Sequence, residues 1–133
     1  MENAVMIVGN MTRDPELKFV NSGAATVSFS VAVNEKRFDQ ATREYVDNVK
    51  FFNVTAWNTL AENVAHSLKK GYRVVVVGKL NQRTWETDAG EKRHAIDIVA
   101  DAVGPDLRFV TADIHRAEKA SPAPGGFADE DPF

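Results

Sequence analysis

A chain of 133 residues, 44% of them apolar, has room for one domain with a real core and little room for a second. The absence of cysteine excludes disulfides, thiolate metal sites and cysteine nucleophiles, and makes a reducing cytoplasm the expected compartment. The net charge of -3 is unevenly spread: residues 1–112 hold 14 basic and 14 acidic side chains, residues 113–133 hold 2 and 5, so the body does not advertise a polyanion partner by charge alone. The opening residues MENAVMIVGN lack the basic cluster of an export signal, and no apolar run is long enough to span a bilayer. A soluble protein with no membrane partner is expected.

Residues 4–8 (AVMIV) read as a short strand ended by Gly9-Asn10, and residues 17–20 as a second extended segment before the turn Asn21-Ser22-Gly23. The run ATVSFSVAVN then alternates, with Val27, Phe29, Val31 and Val33 on one face and Thr26, Ser28, Ser30 and Ala32 on the other. Residues 35–48 are charged and without a clear period, which suits a long hairpin arm. Residues 49–57 are extended, and Thr59-Leu60-Ala61-Glu62 has the spacing of a capping box opening a helix. Leu60, Val64 and Leu68 mark its apolar stripe, Lys69 and Lys70 suit its negative end, and Gly71 suits the position just past it. A long β-branched strand follows (YRVVVVGKLNQRTW), then the turn Asp88-Ala89-Gly90 and a return strand with Ile96 and Ile98 on one face. Gly104-Pro105 stops it, and residues 107–110 offer one more short strand.

This order predicts an all-β fold: a five-stranded OB-type Greek-key barrel over residues 1–112, with one helix between the third and fourth strands. A flat α+β sandwich is the alternative. Residues 113–126 have linker composition, and residues 127–133 form an acidic tip; neither segment has the apolar content to fold alone, so a disordered tail is expected.

Three constellations carry chemistry. Period two places Phe51, Asn53, Thr55 and Trp57 on one face of their strand, two large aromatics among hydrogen-bonding groups, while Phe52, Val54 and Ala56 form the core face. A subunit interface or a satellite cluster over the core accounts equally well for that strand taken alone. On the next long strand Lys79, Asn81, Arg83 and Trp85 share a face unless a bulge near Gly78 shifts the register, and the hairpin returns Lys92 and Arg93. Aromatics interleaved with cations are what stacking bases and tracking phosphates require; a solvated strand end with Trp85 covering the hairpin is the plainer account. In the tip, Phe127 and Phe133 flank Asp129, Glu130, Asp131 and Pro132, a peptide whose rings find burial only in a partner's pocket with basic groups at its rim. A merely solubilising tail explains the acids but not the final Phe.

Through MIVGNMTRDPELKF, GAATVSFSVAVN, FFNVTAWNTLAENVAHSLKKGYRVVVVGKL, RTWETDAGEKR and DEDPF, the chain resembles bacterial single-stranded DNA-binding proteins along nearly all its length. The resemblance implies an OB barrel, a homotetramer, and single-stranded DNA wrapped over stacking aromatics. It places Phe51, Trp57 and Trp85 on stacking positions and Phe38 close to a further one in the arm. It makes the tip a dock for replication, recombination and repair proteins, although the aliphatic residue usual before Pro132 is missing here. GPDLRFVTADI is most similar to actinobacterial members, in which an extra C-terminal strand braces neighbouring subunits. Association with the nucleoid follows as an expectation from DNA binding. No enzyme is expected: His66, His94 and His115 fall in no ligand or triad spacing, so neither a catalytic residue, a metal nor a cofactor is predicted. An OB-fold adaptor that binds replication proteins but not DNA is the remaining alternative.

Overall fold

The computed structural model describes residues 2–117, so Phe127, Asp129, Glu130, Asp131, Pro132 and Phe133, and with them the whole acidic tip, lie outside the described residues. Six strands and one helix are formed in the order β1 (Val5–Met11), β2 (Glu16–Phe19), β3 (Ala25–Asp39), β4 (Glu44–Trp57), α1 (Asn58–Ser67), β5 (Arg73–Glu86) and β6 (Lys92–Pro105). β1 and β2 are two parts of one interrupted strand. Asn10 and Met11 pair with Ala32 and Val31, and Glu16 to Phe19 pair further along the same partner from Ser28 to Ala25. Counted so, the barrel has the five strands expected, with the helix between the third and fourth. β1 also pairs with β5 from Val5 to Asn10, and the ring closes through β5–β6, β6–β4 and β4–β3.

The alternation of β3 is the core pattern: Val27, Phe29 and Val31 are fully buried, and they meet Val54 and Ala56 of β4, Val74 and Val76 of β5 and Ile98 of β6. Each Val, Ile or Phe side chain taken wholly from water contributes about 1.5–3 kcal/mol. Ala61, Val64 and Leu68 of the helix segment close one end of this core. No buried side-chain nitrogen or oxygen among the described residues is left without a hydrogen bond.

Four local expectations are corrected. The apolar run does not stop at Gly9-Asn10, since both continue β1, where neighbouring strands hold them. No capping box forms. The helix starts at Asn58, one residue before Thr59; Asn58 itself takes a left-handed φ of 60, with extended Trp57 at the cap and no side-chain cap hydrogen bond. It also ends before the two lysines: Leu68 is already extended, Lys70 N–H donates to Asp14 Oδ1 (2.9 Å), and Gly71 N–H donates to Met11 O (2.8 Å). Tertiary hydrogen bonds to the end of β1 and the loop after it thus replace another helical turn, and Gly71 supplies a positive φ within that connection rather than beside the last helical residue. Finally, residues 107–110 form a turn and bend instead of a strand, and no strand among the described residues pairs with them. The turn is pinned where Asp106 accepts from Arg73 Nε at 2.7 Å and from Arg108 N–H at 3.1 Å; these bonds, the Arg73 one foremost, hold its carboxyl below the ordinary 3.8.

Two glycines are required by close approach of backbones. A Cβ on Gly9 would overlap Ala32 O, and one on Gly78 would overlap Val99 O and lie 2.9 Å from Ala100 Cα. Backbone atoms in a closed barrel cannot step aside. Gly78→Ala should therefore lower stability by about 1–3 kcal/mol or more, as overpacking does. Gly104→Ala, whose Cβ meets nothing within 4 Å, should stay within roughly 0.5 kcal/mol of the parent in urea unfolding. Equal midpoints for the two variants would contradict this account of closure.

Candidate nucleic-acid interface

The barrel core uses one side of each strand, and the opposite sides of β3, β4, β5 and β6 form a continuous outer face. Register brings the two sequence-predicted faces together on it. Thr55 pairs with Ser28 on one side and Val99 on the other, and Val99 pairs in turn with Lys79. The suspected irregularity at Gly78 exists, but the extra residue, Asp101, is in β6: Val77 pairs with Ala102 and Gly78 with Ala100. β5 keeps its own alternation, so Lys79, Asn81, Arg83 and Trp85 share the outer face, as the unshifted reading required. A groove of about 430 Å³ runs here, lined by Arg13, Ser28, Asn53, Thr55, Trp57, Asn81, Arg83, Asp97 and Val99 among others.

Beyond this groove the strands outrun the barrel. β3 and β4 stay paired without interruption from Thr26–Trp57 to Asp39–Glu44, so the charged stretch 35–48 is a two-stranded arm. Strand parity places Phe38, Tyr45 and Phe51 on the same side of it as Trp57. Phe38 and Tyr45 make an edge-to-face pair with centroids 5.3 Å apart. Phe51 and Tyr45 are 68% and 71% exposed, and Phe38, Trp57 and Trp85 are between 42% and 46% exposed, values that leave ring faces open for stacking. β5 and β6 form the second arm, ending at the turn around Gly90.

The cations are less free than the sequence suggests. Arg83 donates Nε and Nη2 to Asp97 Oδ2 and Oδ1, at 2.5 and 3.5 Å, and its Cζ lies 5.6 Å from the centre of the Trp85 ring. Arg93, opposite Trp85, pairs with Glu91 at 2.9 Å, an exposed contact of small energy. Lys92 is not brought to the stacking face: it pairs with Glu86, and alternation sets both on the reverse side from Trp85. On that reverse side Ile96, on the same strand face as buried Ile98, is 61% exposed because the arm has left the barrel behind.

Three residues of the site escaped the sequence reading: Tyr45 of the β3–β4 arm, and Arg13 and Asp97 of the groove. Tyr45 lay in a stretch without period, although two aromatics placed symmetrically about the turn, Phe38 and Tyr45, were a usable signal. Arg13 comes from the loop between β1 and β2, paired with Glu16 at 3.1 Å, and only closure of the barrel brings it to the groove. Asp97 carried no signal, since its side chain is placed by the β4–β6–β5 neighbourhood alone.

Among the described residues no group of three or more His, Cys, Asp or Glu could hold a metal, and no helix is long and apolar enough to cross a membrane. The site is a groove flanked by aromatic arms. Residues 2–106 match the model of the single-strand binding protein family. Proteins named single-stranded DNA-binding protein are similar to this chain: one from Mycobacterium leprae is 43% identical over 90% of this chain and 71% of its own length. Another from Mycobacterium tuberculosis is 44% identical over 95% and 75%, and one from Corynebacterium glutamicum is 45% identical over 86% and 52%. These names describe binding and not catalysis. With barrel topology, family match and relatives in agreement, the chain belongs to the single-strand binding protein family.

Proposed function

We propose that the outer face binds single-stranded DNA without sequence preference, stacking bases on Trp57, Phe51 and Trp85 and, along the β3–β4 arm, on Phe38 and Tyr45. The observation that carries this reading is the placement of five exposed aromatic rings along a groove and its two arms, on faces that the barrel core does not use. Asn53, Thr55 and Asn81 offer hydrogen bonds to base edges, and Lys79, with Arg93 at the arm tip, offers charge to phosphates. Sequence tolerance follows from stacking, since every base has a π-face. Protection of single strands during replication, recombination and repair is the role such a surface serves.

Assembly as a homotetramer is part of the same proposal. Met6 (66% exposed) and Val77 pair on the outer side of β1 and β5, and Leu107, Phe109, Val110 and Ile114 follow the barrel with over half of each surface uncovered. So much exposed apolar surface is more than a monomer ordinarily keeps. The segment 107–114, which pairs with no strand among the described residues, is suited to bracing a neighbouring subunit. The tip residues Asp129, Glu130, Asp131, Pro132 and Phe133 are proposed to recruit replication and repair proteins, on the strength of their composition alone.

Trp57→Ala and Trp85→Ala should each weaken binding to oligo(dT) by about 1–3 kcal/mol while leaving the melting transition in place. Tryptophan fluorescence should fall as the parent chain is titrated. An unchanged signal would favour a DNA-free adaptor, and lost stability with unchanged affinity would make the rings structural. Sedimentation at micromolar concentration should give four times the chain mass, and a monomer there would end the tetramer proposal. Removing residues 127–133 takes three carboxylates and two rings but no proposed stacking residue, so DNA binding should persist and strengthen slightly at low salt. Deleting Phe133 alone should abolish most recovery of repair proteins in pull-down, whereas equal recovery would reduce the tip to a solubilising appendage.

A further inference from the structure

Asp97 is the one buried charged residue among the described residues, at 8% exposure, and it stands in the groove proposed to receive a polyanion. A carboxylate there opposes phosphates, and burial makes its charge costly to keep without a partner. Arg83 is that partner. Its Nε and Nη2 engage both oxygens of Asp97, which fixes the plane of the guanidinium as well as its position. The guanidinium so held lies 5.6 Å from the centre of Trp85, two residues along the same strand, on an arm with no core behind it to restrain the ring. The three side chains therefore form a line from the barrel wall to the proposed stacking ring.

We propose that Asp97 is a positioning residue: it dedicates Arg83 to Trp85, making the guanidinium a support for the stacking ring instead of a phosphate contact. The consequence for binding rests on the reading of the groove as a single-stranded DNA site. An arginine already neutralised by a buried carboxylate has no counterion to release when DNA arrives, so it should be silent in the salt dependence of binding although it matters for affinity. Removing Asp97 should both loosen Trp85 and free Arg83 to behave as an ordinary phosphate-binding cation.

The test has one arm without DNA and one with it. In a Trp57→Phe background, where Trp85 is the remaining indole, fluorescence anisotropy and acrylamide quenching of the free protein should show a more mobile, more accessible ring after Asp97→Asn and after Arg83→Gln. An unchanged Trp85 in both would overturn the proposal, whatever happens with DNA. Oligo(dT) is then titrated across a salt series with the otherwise unaltered chain. Arg83→Gln and Arg83→Lys should each lose affinity by roughly threefold or more, the scale of a lost cation–π contact, with the slope of log K against log salt unchanged. Asp97→Asn should steepen that slope by about 0.7, one released counterion on a single strand. If instead Arg83→Gln flattens the slope by about 0.7 and Arg83→Lys restores it, Arg83 is a phosphate contact and the assignment is wrong. Should Asp97→Asn fail to fold, the two exposed Arg83 variants still decide the matter. Failure of the parent chain to bind oligo(dT) would refute the DNA reading while the DNA-free arm still judged the coupling of Asp97, Arg83 and Trp85.

Discussion

Closure of the barrel through β1 is the constraint on which everything else rests. This seven-residue strand is hydrogen-bonded to β5 along most of its length and to β3 at its end, changing partner around Asn10. The change brings two strands so close that position 9 has no space for a Cβ, and the neighbouring strand β5 has the same requirement at Gly78, against Val99 and Ala100 of β6. Once the ring is shut, the inward positions of five strands are committed to one core, from Val27, Phe29 and Val31 to Val74 and Val76. Every second residue is then outward by geometry, whatever its chemistry.

The outward residues acquire meaning because β3, β4, β5 and β6 are each 14 or 15 residues long, more than the barrel needs. Their surplus leaves as two paired arms. An arm of two strands has no core to hide an aromatic ring, so Tyr45, Phe51 and Trp85 stay open to solvent at the cost of exposed apolar surface. The bulge at Asp101 has a part in this: by placing the extra residue in β6 it lets β5 run from core to arm without losing alternation, so the face beginning at Lys79 reaches Trp85 intact.

Electrostatics on this surface are local. The body carries no net charge, and the pairs Arg13–Glu16, Lys50–Glu35 and Arg93–Glu91 are exposed enough to matter little for stability. Arg83–Asp97 differs because one partner is nearly buried. The same difference separates a cation that tracks a phosphate from one that shapes the site.

The sequence by itself determined which residues were strands and which sides of them were apolar, because period two and β-branched composition are local properties. It therefore supplied the barrel, the aromatic faces of β4 and β5, and the family resemblance. Helix limits were not local: Thr59 and Glu62 have the spacing of a cap, but a left-handed Asn58 and hydrogen bonds from residues 70 and 71 to Asp14 and Met11 set the ends. The arm was legible as an arm but not as a surface, because only continuous pairing with β3 shows that Tyr45 lies on the side of Trp57. Placement of Arg13 and Asp97 in one groove was decided by tertiary structure alone. They are 84 residues apart in the chain, and no local pattern encodes which distant strands a closed barrel will make neighbours.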